Sequence, residues 1–232
     1  SMQLDECISF PSTKEKAYSS TILSLEWAKR SRDVFFNRKG YGQFGIVQGS
    51  TYPDLRELSS KELIKIDFEG FAIGGLAVGE NQDTMFETLS STTPFLPENK
   101  PRYLMGVGKP DDIIGAIKRG VDMFDCVLPT RSGRNGQAFT NFGPLNIKNS
   151  RFSSDKYPLD ILCECHTCKT FSRAYLHHLF KCKEILGLSL LTWHNLHFYL
   201  DLVKKARNSI VKKNFLEFEK SFLTKYYSKN GT

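Results

Sequence analysis

Short apolar runs alternate with longer mixed stretches through the first half of the chain. Phe44-Gly45-Ile46-Val47-Gln48, Phe71-Ala72-Ile73-Gly74-Gly75, Tyr103-Leu104-Met105-Gly106-Val107 and residues 121–128 are apolar on both faces, the pattern of strands buried in a parallel sheet. Between them, about 54–66, 82–91 and 110–119 read as helices, as does a longer stretch over 12–36 opened by Ser12-Thr13 and Glu15. Repeated strand–helix alternation of this kind predicts a parallel α/β sheet. Each strand ends in a polar or glycine-bearing turn: Gln48-Gly49-Ser50, Gly74-Gly75, Gly106-Val107-Gly108 and Asp125. Asp5-Glu6-Cys7 reads as the end of one more strand, making five strand–helix units. A (β/α)₈ barrel places its active site at such strand ends, and this chain would lack about 90–100 residues of one. A doubly wound sheet needs no missing units, so the pattern leaves both architectures open.

Beyond Leu128 the character changes. Residues 129–136 read as a polar, basic, glycine-bearing loop, and 137–140 and 144–148 flank Asn141-Phe142-Gly143 as a hairpin turn. A cysteine cluster follows, then helices at roughly 171–186, 190–210 and 214–228.

With 232 residues, 40% of them hydrophobic, the chain can bury one large core or two small ones. Eighteen Phe and nine Tyr exclude a disordered chain. No apolar run approaches the ~18 residues of a membrane span. The first residues have neither the basic nor the apolar region of a secretory signal, so a cytoplasmic location is expected. Ser1 ahead of Met2 reads as a residue left by tag removal. The net charge of +7 favours an anionic partner. From Asp201 onward eight basic residues stand against three acidic ones, which serves phosphate contact or a solvated helical face equally.

Three segments suggest chemistry. Cys163-x-Cys165-x-x-Cys168 can point soft thiolates at one tetrahedral ion, although structural zinc wants four ligands. All five histidines (166, 177, 178, 194 and 197) lie in the same region, and spacing cannot choose among them. The alternative is a set of reduced, buried thiols, which is also the reading for Cys126 and Cys182. Asp125 sits inside an apolar run, where a carboxylate needs a partner or a task. Arg131 and Arg134 could pair with it or hold a phosphate. Glycines precede a helix starting at Pro110, a possible anion site. Asp111 and Asp112 in its first turn already answer the helix dipole.

Taken together, Phe44–Ser50 (FGIVQGS), Gly74–Glu80 (GGLAVGE), Tyr103–Asp112 (YLMGVGKPDD), Met123–Phe139 (MFDCVLPTRSGRNGQAF) and the cysteine cluster resemble the signature blocks of the tRNA-guanine transglycosylases, specifically the bacterial type. The resemblance runs from Asp5 to about Tyr226. It implies an α/β fold, part of a (β/α)₈ TIM barrel, with a zinc-binding subdomain and C-terminal helices. The implied divisions are 1–128 for the partial barrel, 129–194 for the basic loop, hairpin and zinc subdomain, and 195–232 for the helices. The implied reaction exchanges guanine at the tRNA wobble position for a 7-deazaguanine. Asp125 matches the nucleophile. Asp5 and Gln48 match residues that read the base, Gly75 offers a backbone group, and Gly74, Leu76 and Met105 line the pocket. Cys7 and Val78 resemble bacterial choices beside it, implying 7-aminomethyl-7-deazaguanine as incoming base. Gly106, Val107, Gly108, Lys109, Pro110, Asp111 and Asp112, with Thr130, Arg131, Ser132, Gly133 and Arg134, match segments that hold the tRNA anticodon loop. The metal ligands carry over to Cys163, Cys165, Cys168 and His194, for one structural Zn²⁺ per chain. In the family the zinc subdomain lies at a homodimer interface, and the Tyr175–Leu179 stretch is suitably placed. The family's upstream SDSGG-like motif, with a further catalytic aspartate, has no counterpart here. The chain alone is therefore expected to be inactive, serving at most as a tRNA-binding or dimerisation module.

Overall fold

The computed structural model describes residues 1–228 and divides the chain into two compact units, Ser1–Cys126 and Val127–Thr232. The last four residues of the 195–232 division, Lys229 of the basic tail among them, lie outside the described residues.

In the first unit, four parallel strands stand in consecutive order: β1 (Phe44–Val47), β2 (Gly70–Ile73), β3 (Arg102–Leu104) and β4 (Met123–Phe124). The register pairs Val47 with Ile73 and Ile73 with Leu104, so the strand ends stay level. The helices between them begin where local chemistry starts them. Thr13 caps α1 (Lys14–Asp33) by accepting from Lys16 N, Pro53 and Pro110 open α2 (Pro53–Ile66) and α4 (Pro110–Lys118), and Asn81 caps α3 (Gln82–Thr92). Their apolar faces meet the sheet in one core containing Phe68, Phe71, Ile73, Leu89 and Leu104, none of them exposed. β2 is buried at all four positions, which is why it reads as a continuous apolar run.

Several expectations need correction. The strand ahead of Asp5 is reduced to a single parallel bridge, Met2 to Phe44. The run 121–128 forms only the two-residue β4, so Asp125 follows the strand and is exposed rather than buried within it. The pairing of β4 stops where β3 stops, Phe124 lying opposite Leu104, the last residue of that strand.

In the second unit, residues 128–134 form α5 (Leu128–Arg134) in place of the expected loop. The hairpin is β5 (Gln137–Thr140) with β6 (Gly143–Asn146), Thr140 pairing directly with Gly143. α6 (His166–Thr170) and α7 (Arg173–Lys181) precede α8 (Ile185–Val211) and α9 (Phe215–Tyr227). α7 stops five residues short of the expected 186 because Lys183 turns to φ +57° before α8 begins. α8 runs unbroken through positions 194 and 195. The core here gathers Ala138, Leu145, Ile147, Phe152, Leu176 and Leu191 around the cysteine cluster. Cys182 is exposed and Cys126 half-buried, so neither is the buried thiol expected. No helix among the described residues is long and apolar enough to cross a membrane.

Candidate active site and thiol–imidazole cluster

At the carboxyl ends of β1 and β2 the chain builds a small polar floor. Gln48, 2% exposed, donates from Nε2 to Asp5 Oδ2 at 2.6 Å, and its backbone N–H donates to Ser59 Oγ. The amide lies flat on Gly74-Gly75: a Cβ built on Gly74 would stand 2.7 Å from Gln48 Nε2, and one on Gly75 (φ +65°) 2.5 Å from Oε1. Only glycine permits both the left-handed turn and that approach. Beneath them Arg56 is completely buried and donates to the carbonyls of Ser50, Val47, Gly74 and Gly75. Burial pushes its pKa down to about 10, which leaves it charged at neutral pH. Cys7 lies at the rim, where burial and the neighbouring Asp5 raise its thiol pKa. Leu76 is buried and Met105 half-buried. Glu80 closes the following turn by accepting from Ala77 and Val78 backbone N–H.

Asp125 belongs to the same unit. Tyr103 Oη donates to its Oδ1 at 2.7 Å, and Gly106 N–H donates to the same oxygen at 2.8 Å. Burial, aided by Asp125, raises the Tyr103 phenol to about 12, so it remains a donor across the working pH range. The carboxylate is thus oriented through one oxygen while remaining exposed to solvent. Val107, Gly108, Pro110 and Asp112 are buried and Lys109 is exposed. Gln82 occupies Asp111 and Asp112 with its amide at 3.1 and 2.6 Å, so the start of α4 is already furnished.

In the second unit, Thr130, Arg131 and Arg134 lie on α5, the two arginines exposed and Ser132 and Gly133 buried. Cys163, Cys165, Cys168 and His194 bring their ligand atoms within 4.8 Å of one another. His194 Nδ1 stands 3.6, 3.5 and 3.3 Å from the three sulfurs, while Nε2 hydrogen-bonds Phe139 O at 2.8 Å. With usual zinc bond lengths, the nitrogen–sulfur edge of a tetrahedral site is about 3.5 Å, so these residues fit such an ion. The Phe139 carbonyl fixes the tautomer that turns the Nδ1 lone pair inward. Hydrogen bonds from Cys163 and Cys168 hold the Cys165 thiol well below its usual range, whereas Cys163 and Cys165 push Cys168 up. Burial opposes charge on His194, yet the Cys163 and Cys165 sulfurs raise it to about 10. Three sulfurs and an imidazole nitrogen converging in one place are a donor set that a bound cation would fill. His166, His178 and His197 are not in the cluster, and His177 bonds Ile147 O instead.

Four participants were not evident in the sequence. Tyr103 counted as a strand residue, Arg56 as one more helical charge, Glu80 as part of a glycine-rich block and Asn195 as a polar position on a long helix. Only Tyr103 carried a signal, the placement of a phenol at the start of a strand whose end faces Asp125.

The geometry is thus an α/β unit with a glycine-floored polar cluster at its strand ends, followed in sequence by a thiol–imidazole cluster. The family model described as "Queuine tRNA-ribosyltransferase" matches residues 1–228, and the chain belongs to that family. It is 60% identical over 209 residues to the queuine tRNA-ribosyltransferase of Rickettsia prowazekii, covering 90% of this chain and 58% of that protein. It is 58% identical over 217 residues to that of Rickettsia bellii, covering 94% and 60%. The chain thus spans under two thirds of the length of these relatives.

Proposed function

We propose that this chain carries the base-exchange centre of a tRNA-guanine transglycosylase. The observation that carries the reading is Asp125, held by Tyr103 and Gly106 in the same α/β unit as the Asp5–Gln48 pair on its glycine floor. An Asp125 oxygen bonds to the ribose C1′ at the wobble position as the C1′–N9 bond breaks, and that electron pair leaves with guanine. The incoming 7-deazaguanine, having lost its N9 proton, attacks C1′ from the vacated side and frees Asp125. One proton passes overall from the incoming base to guanine, and two inversions retain configuration. Asp5 and Gln48 read the base's polar edge, their mutual hydrogen bond ordering both before it arrives. Gly75 supplies a backbone group, and Gly74, Leu76 and Met105 complete the walls. Cys7 and Val78 favour 7-aminomethyl-7-deazaguanine over queuine.

Residues 106–112 and 130–134 hold the anticodon loop, since a single-stranded loop can splay a base outward. Cys163, Cys165, Cys168 and His194 hold one structural zinc; with four protein ligands it stabilises the fold and takes no part in the exchange. The consecutive strand order, without the reversal at which doubly wound sheets bind ligands, supports an arc of a (β/α)₈ barrel over 1–128, followed by the zinc part over 129–194 and the terminal helices. Exposed Tyr175, stacked on Phe171 at 5.2 Å, favours a homodimer contact on α7. Cytoplasmic tRNA is the substrate.

Incorporation of radiolabelled guanine into tRNA tests the reading in this chain and in a protein of the relatives' full length. We expect exchange above background from the longer protein alone, abolished by Asp125→Asn with tRNA binding retained. Full-length exchange that survives Asp125→Asn would refute it.

A further inference from the structure

We propose that Asn195 is a positioning residue that sets α5 for RNA contact. A seven-residue helix cannot stand on its own hydrogen bonds, so something outside α5 must hold it. Asn195 is completely buried, and both polar atoms of its amide are bonded to backbone. Its Nδ2 donates to Pro129 O and to Gln137 O, both at 2.9 Å, and its Oδ1 accepts from Phe139 N at 3.0 Å. Pro129 lies in the first turn of α5 and Gln137 just beyond its C-cap, so one side chain brackets the helix at both ends. A second contact sits one turn earlier on α8. A Cβ on Gly133 would stand 2.8 Å from Thr192 Cα, so α5 rests directly against the α8 backbone. The other face of α5 leaves Arg131 and Arg134 exposed.

The neighbouring residue connects this clamp to the thiol–imidazole cluster. His194 Nε2 holds Phe139 O at 2.8 Å while Asn195 Oδ1 holds Phe139 N. Two consecutive residues of α8 therefore grip the N–H and the C=O of one β5 residue, one facing the cysteines and the other facing α5. Removing the metal frees His194, and the disturbance reaches α5 through Phe139 and Asn195.

This inference rests on the reading of α5 as an RNA contact, so the test has two separate arms. Asn195→Asp keeps the acceptor for Phe139 N and loses both donors; Gly133→Ala displaces α5 without touching Asn195 or His194. In the first arm, hydrogen exchange is measured on the intact chain, with metal content assayed alongside. Exchange over residues 128–136 should rise at least tenfold in both variants, and the same rise should follow chelation of the wild type. Bound metal and protection over α8 should be retained in the variants. Unchanged protection of α5 in both variants would overturn the proposal. So would uniform loss of protection and metal in Asn195→Asp with Gly133→Ala unaffected, which would make Asn195 a general fold residue. In the second arm, a synthetic anticodon stem–loop is titrated at several salt concentrations. Asn195→Asp should weaken binding and flatten the log–log salt slope by about 1.4, the share of two single-strand phosphates. Unchanged RNA affinity in a variant whose α5 has loosened would overturn the link to RNA. If the wild-type chain binds no stem–loop, α5 is not an RNA contact, while hydrogen exchange still decides what Asn195 holds.

Discussion

Gly75→Ala is the substitution that most directly tests the pocket floor, because its cost separates into two parts that a second glycine can tell apart. At φ +65° an alanine suffers left-handed strain of roughly 1–2 kcal/mol. Its Cβ would also stand 2.5 Å from Gln48 Oε1. Gln48 cannot swing away cheaply, being 2% exposed and bonded to Asp5 at 2.6 Å, and breaking a hydrogen bond to a carboxylate costs about 1.5–3 kcal/mol. The sum expected for Gly75→Ala is roughly 2.5–4 kcal/mol, solvent around half-buried Asp5 trimming the upper end. Gly106 has a similar φ of +73° with nothing within 4 Å of an added Cβ, so Gly106→Ala should carry the strain alone. The assay is urea unfolding in a Trp193→Phe background, which leaves Trp27 on α1 as the fluorescent reporter of the first unit. Equal losses in the two variants, within about 0.5 kcal/mol, would mean that Gln48 yields freely and that the floor is not preformed.

Metal analysis should find about one zinc per chain, lost when Cys165→Ala and His194→Ala are combined; retention in the double variant would refute the ligand set. In a full-length, exchange-competent protein, Tyr103→Phe should slow exchange about tenfold with tRNA affinity intact, as expected for one lost hydrogen bond to an oriented carboxylate; an equal loss of affinity would make Tyr103 a packing residue. Arg32, with backbone N–H of Gln43, holds the Glu69 carboxyl down at about 2. A depressed carboxylate pKa stabilises the fold above its ordinary value of 4.5, and that stability is lost as pH falls toward 2. Solvent screening limits it to about 1–2 kcal/mol. Glu69→Gln should therefore be less stable than wild type at pH 7, with the gap closing between pH 4.5 and 2; a gap independent of pH would refute the ion pair's role.

Much of the site was legible as residue type and spacing. The cysteine cluster shows itself because thiolates this close in sequence have few other uses, and Asp125 because an aspartate in an apolar run demands an explanation. The explanation inferred for Asp125 was nevertheless wrong in one respect. Its exposure comes from β4 ending at Phe124, opposite Leu104 where the neighbouring β3 also ends, which is not a property of the run itself. In the same way residues 129–136 carry loop composition, and 129–134 become helical because Gly133 can lie on the α8 backbone and Asn195 can reach both flanks.

The sequence by itself determined the alternation of strands and helices, the helix starts at Thr13, Pro53, Asn81 and Pro110, and the supply of ligands and carboxylates, because periodicity and capping act over a few residues at a time. Tertiary structure alone decided which histidine faces the thiols, which phenol holds Asp125, and that a fully buried arginine clamps the strand ends. Those choices depend on contacts between residues 22 to 31 positions apart for Tyr103–Asp125 and Cys163–His194, and on strand-end carbonyls that exist only once neighbouring strands are in register. A buried polar group takes whichever partner the packed fold brings within reach, and that reach is a property of the assembled layers rather than of the local chain.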